Sequence, residues 1–139
     1  MDFVEVGDQD AGVSVRNAPS GLVRASSKLY LGTLPAGTVP RTGSSEDPER
    51  LSSFLDELGG PAVVKPSLGT RGNGVVRVSP STSNREVILE RAVLKGPALL
   101  QDYQPDAPDG DVRIGVVGGR LLELDGKPCA VRGLSLIHI

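Results

Sequence analysis

The clearest periodicity along the chain lies at Leu51, Phe54, Leu55 and Leu58, the i, i+3, i+4, i+7 spacing of one apolar helix face. Asp47-Pro48 supplies a capping carboxylate and a proline suited to the first helical position, and Gly59-Gly60 supplies the stop. Short apolar runs follow at Ala62 to Lys65, Val75 to Val78 and Ala98 to Tyr103, and these predict strands. A second helix is expected over Arg85 to Lys95, capped by Asn84 and stopped by Gly96-Pro97.

Upstream, Asn17, Pro19 and Gly21 punctuate a turn. GLVRASSKLYLGTLP reads as one or two short helical turns ending at Pro35, and AGTVPRTGSS as extended, loop-like chain. Downstream, Gln104 to Gly110 is a polar loop. VRIGVV, Gly118-Gly119 and RLLEL then form a hairpin pattern, because a glycine pair suits a primed two-residue turn. Asp125-Gly126 is a second turn signal, leading to KPCAVR as a further strand. The sum is an α+β fold with two helices and a largely antiparallel sheet.

The two ends stand apart. Residues 1–16 carry no convincing hydrophobic repeat and are expected to be a linker or the remnant of a preceding domain. LSLIHI, residues 134–139, is a bare apolar tail that matches a translated transposon-end adapter from sequencing-library preparation, so it is expected to be non-native. His138, the single histidine, then carries no functional weight.

Composition narrows the function. With 139 residues, the chain can hold one domain or a large piece of one. Apolar residues make up 38 % and charged residues 23 %, as in soluble globular proteins, but aromatics only 3 %, so the core must be built from Val, Leu, Ile and Ala. A net charge of −2 argues against general nucleic-acid affinity, and no apolar run is long enough to span a membrane. One cysteine, Cys129, excludes an intrachain disulfide and fits a cytoplasmic setting.

The candidate chemistry centres on PAVVKPSLGTRGNGVVRV. Gly69, Gly72 and Gly74 let backbone approach a ligand and tolerate positive φ. Lys65, at the end of a buried strand, must be desolvated or paired with an anion. A lysine beside free backbone N–H groups suits a polyphosphate. The stretch is neither a Walker loop nor a Rossmann fingerprint, since GxxxxGK[ST] is absent and no helix follows Val78. A plain strand–loop–strand turn is the alternative. Gln101, Asp102 and Tyr103 lie where a strand enters a loop and can face an adenine edge or simply end the strand. Asp111 and Arg113, two apart on a strand, share a face, as a surface ion pair or as ribose and phosphate ligands. Lys28 by itself reads as a solvated lysine.

Together these elements resemble the ATP-grasp superfamily, in the branch of bacterial glutathione synthetases and ribosomal-protein glutamate ligases. The likeness runs through Asn17, Pro19, Gly21, Lys28 and Leu29, then Pro40 and Thr42, then Val64 to Pro66 and the loop Gly69 to Gly74. It continues through Gln101, Tyr103 and Pro105, then Gly110, Asp111 and Arg113. The resemblance implies a partial ATP-grasp domain over residues 17–133. It implies that Lys28 and Lys65 contact ATP phosphates and that Gly69, Gly72 and Gly74 belong to a mobile flap. Gln101, Asp102, Tyr103 and Gln104 would line the adenine pocket, and Asp111 would face the ribose or nearby substrate. Arg113 would act catalytically on the γ-phosphate and acyl phosphate.

The partners implied are ATP and a small carboxylate or peptide substrate, in a parent protein compatible with a homo-oligomer. Mg²⁺ is implied too, with ligands in a later segment that this sequence does not show, so the chain by itself is expected to be inactive as a ligase. The activity implied is ATP-dependent carboxylate–amine ligation, most like the glutathione synthetases. A glutamate-adding or peptide ligase and a non-catalytic nucleotide-binding domain are the alternatives.

Overall fold

The computed structural model describes residues 17–69 and 72–133. The expectations for residues 1–16 and 134–139 fall outside this range. The chain divides into two units, one running to Tyr103 and one from Gln104.

In the first unit, α1 spans Pro19–Ser26 and a 3-10 turn spans Lys28–Thr33. Then come β1 (Thr42–Ser45), α2 (Pro48–Leu58), β2 (Ala62–Pro66), β3 (Val76–Val78), α3 (Arg85–Val93) and β4 (Ala98–Asp102). The four strands form one antiparallel sheet in the order β1-β4-β2-β3.

Local chemistry accounts for most of these boundaries. Asp47 caps α2 by accepting from the Glu49 N–H at 2.9 Å, and Gly59 ends it in the left-handed conformation at φ 73°. Leu51 and Leu55 are fully buried while Phe54 and Leu58 pack at the margin, so the apolar stripe faces the core as its spacing required. The Asn17–Gly21 stretch is a helix start and not a turn. Asn17 takes φ 69° and Pro19 opens α1, which adds a third α-helix to the two expected. Asn84 occupies the cap position of α3 but makes no side-chain capping bond.

The core lies between the sheet and the pair α2–α3. Ala62, Val64, Val78, Ala98 and Leu100 pack from the strands against Leu51, Leu55 and Leu89 from the helices. A bidentate ion pair, Arg85 to Asp56 at 2.6 and 3.3 Å, ties α3 to α2.

The loop-like TGSS segment is strand β1, paired with β4 from Thr42↔Gln101 to Ser45↔Ala98. Its glycine has a packing reason, since a Cβ on Gly43 would stand 2.8 Å from the Phe54 ring. Gly43→Ala is therefore expected to destabilise the chain by about 1–3 kcal/mol through overpacking, seen as a lower urea midpoint. An unchanged midpoint would mean that Phe54 turns aside freely.

In the second unit, β5 (Asp111–Ile114) pairs with β10 (Ala130–Gly133). Two further hairpins are β6 (Val116–Val117) with β7 (Arg120–Leu121), and β8 (Glu123–Leu124) with β9 (Lys127–Pro128). Gly118-Gly119 and Asp125-Gly126 have positive φ at both positions, the primed turns their sequences call for. The expected strands are each broken once, at Gly115, Leu122 and Cys129. There the three ladders meet in a ring of backbone hydrogen bonds: Gly115 donates to Cys129, Cys129 to Leu122 and Leu122 to Gly115.

Candidate functional site

Strand alternation sets the site in the first unit. With Ala62, Val64, Ala98 and Leu100 directed at the helices, Val63, Lys65, Arg77, Leu99 and Gln101 share the opposite face of the sheet. Thr42 joins them from β1, directly across from Gln101.

On this face Lys65 stands opposite Leu99 and reaches diagonally to Gln101, where Nζ donates to Oε1 at 2.7 Å. Gln101, buried, donates from Nε2 to Thr42 Oγ1 at 2.8 Å. The Thr42 hydroxyl donates in turn to the Pro40 carbonyl at 2.7 Å. The buried valines around Lys65 therefore do not force an anionic partner on it, since a neutral amide accepts from the ammonium.

Lys28 is drawn in by the glycine-rich loop. Its backbone N–H donates to the Ser67 carbonyl at 2.9 Å and its Nζ to the Gly69 carbonyl at 2.8 Å. The lysine thus bridges to the loop from 41 positions away. Gly69, Gly72 and Gly74 sit at φ 133°, 72° and 73°, where side chains are disfavoured. Thr70 and Arg71, part of the expected flap, lie outside the described residues.

Both lysines have their pKa lowered. Desolvation by burial acts on Lys65 first, and the positive charge of Lys28 adds to it; Lys28 is lowered by desolvation. Among the described residues, the ion pairs are Arg85–Asp56 and Arg113–Asp111, so neither lysine has a carboxylate against it. Two uncompensated ammonium groups beside a loop of positive-φ glycines fit a polyanion such as a nucleotide triphosphate. Among the described residues, no group of three or more His, Cys, Asp or Glu is placed to hold a metal ion. Nor, among the described residues, is any helix long and apolar enough to cross a membrane.

The other expected residues separate. Asp102 ends β4 in the register of Ala98 and Leu100, the helix-facing one, and its backbone N–H donates to Arg41 at 3.0 Å. Tyr103 donates its N–H to Pro61 at 3.0 Å. Gln104 opens the second unit. In that unit Arg113 Nε meets Asp111 at 3.0 Å, with side chains 78 % and 56 % exposed, so the pair contributes little to stability.

Two residues escaped the sequence. Arg77 places its guanidinium 4.2 Å from the centroid of the Tyr103 ring, a cation–π contact made on the site face. The only hint was a charge between two valines in VRV. Thr42 was visible only as part of Pro40-x-Thr42, with no sign that its hydroxyl would reach Gln101.

A family model described as prokaryotic glutathione synthetase, ATP-grasp domain, matches residues 27–132. The glutathione synthetase of Synechococcus elongatus is 38 % identical over 110 residues, which cover 78 % of this chain and 33 % of that protein. A "Probable alpha-L-glutamate ligase" of a Marinomonas species is 37 % identical over 86 residues, covering 60 % of this chain and 28 % of that protein. The chain thus spans about a third of the length of the curated relatives it matches. Among solved structures, ATP-grasp ligase PsnB with a minimal precursor is similar at a TM-score of 0.53 and 25 % identity, over 76 % of this chain and 33 % of that one. The same ligase with a phosphomimetic precursor variant, Mg and ADP aligns at 0.52 and 26 %, over 76 % of this chain and 32 % of that one.

Proposed function

Because this chain belongs to the prokaryotic glutathione synthetase ATP-grasp domain family, we propose that residues 17–133 form the ATP-binding part of a carboxylate–amine ligase. The observation that carries the proposal is the pair Lys28 and Lys65, desolvated and with no carboxylate against either among the described residues, beside a loop of positive-φ glycines. In this chemistry ATP activates a carboxylate as an acyl phosphate, which an amine then attacks.

The residues of the chain bind and orient. Lys65 and Lys28 neutralise phosphate oxygens, Lys65 nearest the α and β groups, and the glycine loop presents backbone to them. In the first unit Gln101 and Tyr103 are assigned to the adenine. In the second unit Asp111 is assigned to the ribose or nearby substrate, and Arg113 to the γ-phosphate and acyl phosphate. Mg²⁺ is the metal the family likeness implies, and it would supply charge neutralisation at the phosphates; among the described residues no group of three or more His, Cys, Asp or Glu could hold it. For the full-length protein the substrates proposed are γ-glutamylcysteine and glycine, in the cytoplasm. The likeness to a glutamate ligase keeps a glutamate-adding enzyme as a second reading. Glycine-dependent against glutamate-dependent ADP release by the full-length protein separates the two.

ATP is expected to raise the melting temperature of the chain, and its affinity is expected to depend on pH in a defined direction. Phosphate favours the protonated lysines, so binding is strongest below their lowered pKa values and weakens as pH rises through them, ahead of the ordinary 10.5. The unliganded fold has the opposite dependence. Between the lowered values and 10.5 the unfolded chain binds more protons, so stability gains with pH in that window. Calorimetric titrations across that range check both signs. No ATP-dependent shift at any pH would refute the nucleotide site.

A further inference from the structure

Thr42 has no role in the binding scheme above, yet it lies within a hydrogen-bond chain with only one workable direction. At one end is the Pro40 carbonyl, which can only accept, and at the other the Lys65 ammonium, which can only donate. The single proton of the Thr42 hydroxyl goes to Pro40, so its oxygen is left to accept from Gln101 Nε2. That leaves Oε1 as the atom facing Lys65. A reversed amide would set NH₂ against an ammonium and leave Oε1 beside a hydroxyl whose proton is already committed.

Register makes this geometric as well as chemical. Thr42 and Gln101 are directly opposed in the β1–β4 ladder, and Gln101 is opposite Val63, two residues from Lys65. The Lys65–Gln101 and Gln101–Thr42 links therefore join cross-strand neighbours on one face, while the Thr42–Pro40 link is local, two residues along the same segment. The amide is buried, so water does not substitute readily for either partner.

We propose that Thr42 is a positioning residue: its hydroxyl fixes the direction of the Gln101 amide, and through it holds the Lys65 ammonium, still charged, at the site. A neutral acceptor orients the lysine without cancelling the charge a phosphate would use, which a carboxylate at position 101 would do. The consequence for ATP rests on the function proposed above; the consequence for Lys65 does not.

The test uses Thr42→Val, which keeps the shape and removes the hydroxyl, and Thr42→Ser, which restores it. In the valine variant Nε2 is left buried without an acceptor, so the amide swings away and Lys65 loses Oε1. The Lys65 ¹³Cε titration, followed by NMR on the 139-residue chain without nucleotide, is expected to move to a midpoint lower by about 0.4–1 pH unit. Serine is expected to stay within about 0.2 unit of the original chain. ATP affinity is expected to fall about three- to ten-fold in valine and to recover in serine. A merely structural Thr42 would lower the melting temperature without moving the lysine titration. An unmoved midpoint in valine, or an equal shift in serine, overturns the proposal. Failure of the original chain to bind ATP refutes the nucleotide site and leaves the Lys65 readout to decide this one. Should the valine variant not fold, the original chain still decides. Cross-peaks from the Gln101 side-chain N–H₂ to the Thr42 methyl are expected, and cross-peaks to the Lys65 ε protons in their place overturn the inference.

Discussion

Lys65→Met is expected to weaken ATP binding by about ten- to one-hundred-fold, the loss that follows from removing a charged hydrogen-bond donor from a partly desolvated site. Methionine keeps most of the apolar stem, so the strand retains its packing on the Lys65 face. Among the described residues, the ammonium it removes donates to Gln101 Oε1 at 2.7 Å and has no carboxylate against it. Its charge is therefore available to a ligand and not spent on the fold. Isothermal titration with ATP gives the affinity, and circular dichroism verifies that the variant is folded. A folded methionine variant that binds ATP as tightly as the original chain would remove Lys65 from the site.

Leu100→Ala is expected to cost about 2–5 kcal/mol, a large share of the stability of a domain of this size. Leu100 lies in the middle of β4, is fully buried, and has Gly43 opposite it on one side and Val64 on the other. Its side chain is part of the layer that joins the sheet to Leu51, Leu55 and Leu89. Truncation leaves a cavity that a four-stranded sheet clamped between its own ladders cannot close. The effect reaches the site because Leu99 and Gln101, the flanking residues, belong to the lysine face. Urea unfolding with an unchanged slope and a lower midpoint is the expected record. A loss below about 1 kcal/mol would show that the helix layer is not packed as described.

The predictions differ in how far the sequence could support them. Lys65 stood out because a charge at the end of an apolar run is anomalous wherever the chain goes. The α2 core positions stood out because Leu51 and Leu55 repeat with the helical period. Thr42 and Gly43 carried no such signal. TGSS has no apolar alternation, and it becomes a strand because β4 offers an edge to pair with and Gly43 gives the Phe54 ring room. Arg77 against Tyr103 and Lys28 against Gly69 likewise depend on which segments become neighbours. The single strands expected downstream of Asp111 were interrupted at Gly115, Leu122 and Cys129 for the same reason, since a strand that changes partner must break its ladder.

What the sequence determined by itself was therefore whatever one segment can decide alone: the helix stripe, the Asp47-Pro48 cap, the positive-φ glycines, the two primed turns and the likeness to ATP-grasp ligases carried by ordered motifs. These follow from backbone sterics and local hydrogen bonding, which act over a few residues. Only the tertiary structure decided the order β1-β4-β2-β3, and with it which side chains share a face. That order brings a threonine, a glutamine and a lysine from three strands into one directed hydrogen-bond chain. Pairing between strands far apart in sequence is set by the burial of the whole sheet against α2 and α3, a quantity no single segment contains.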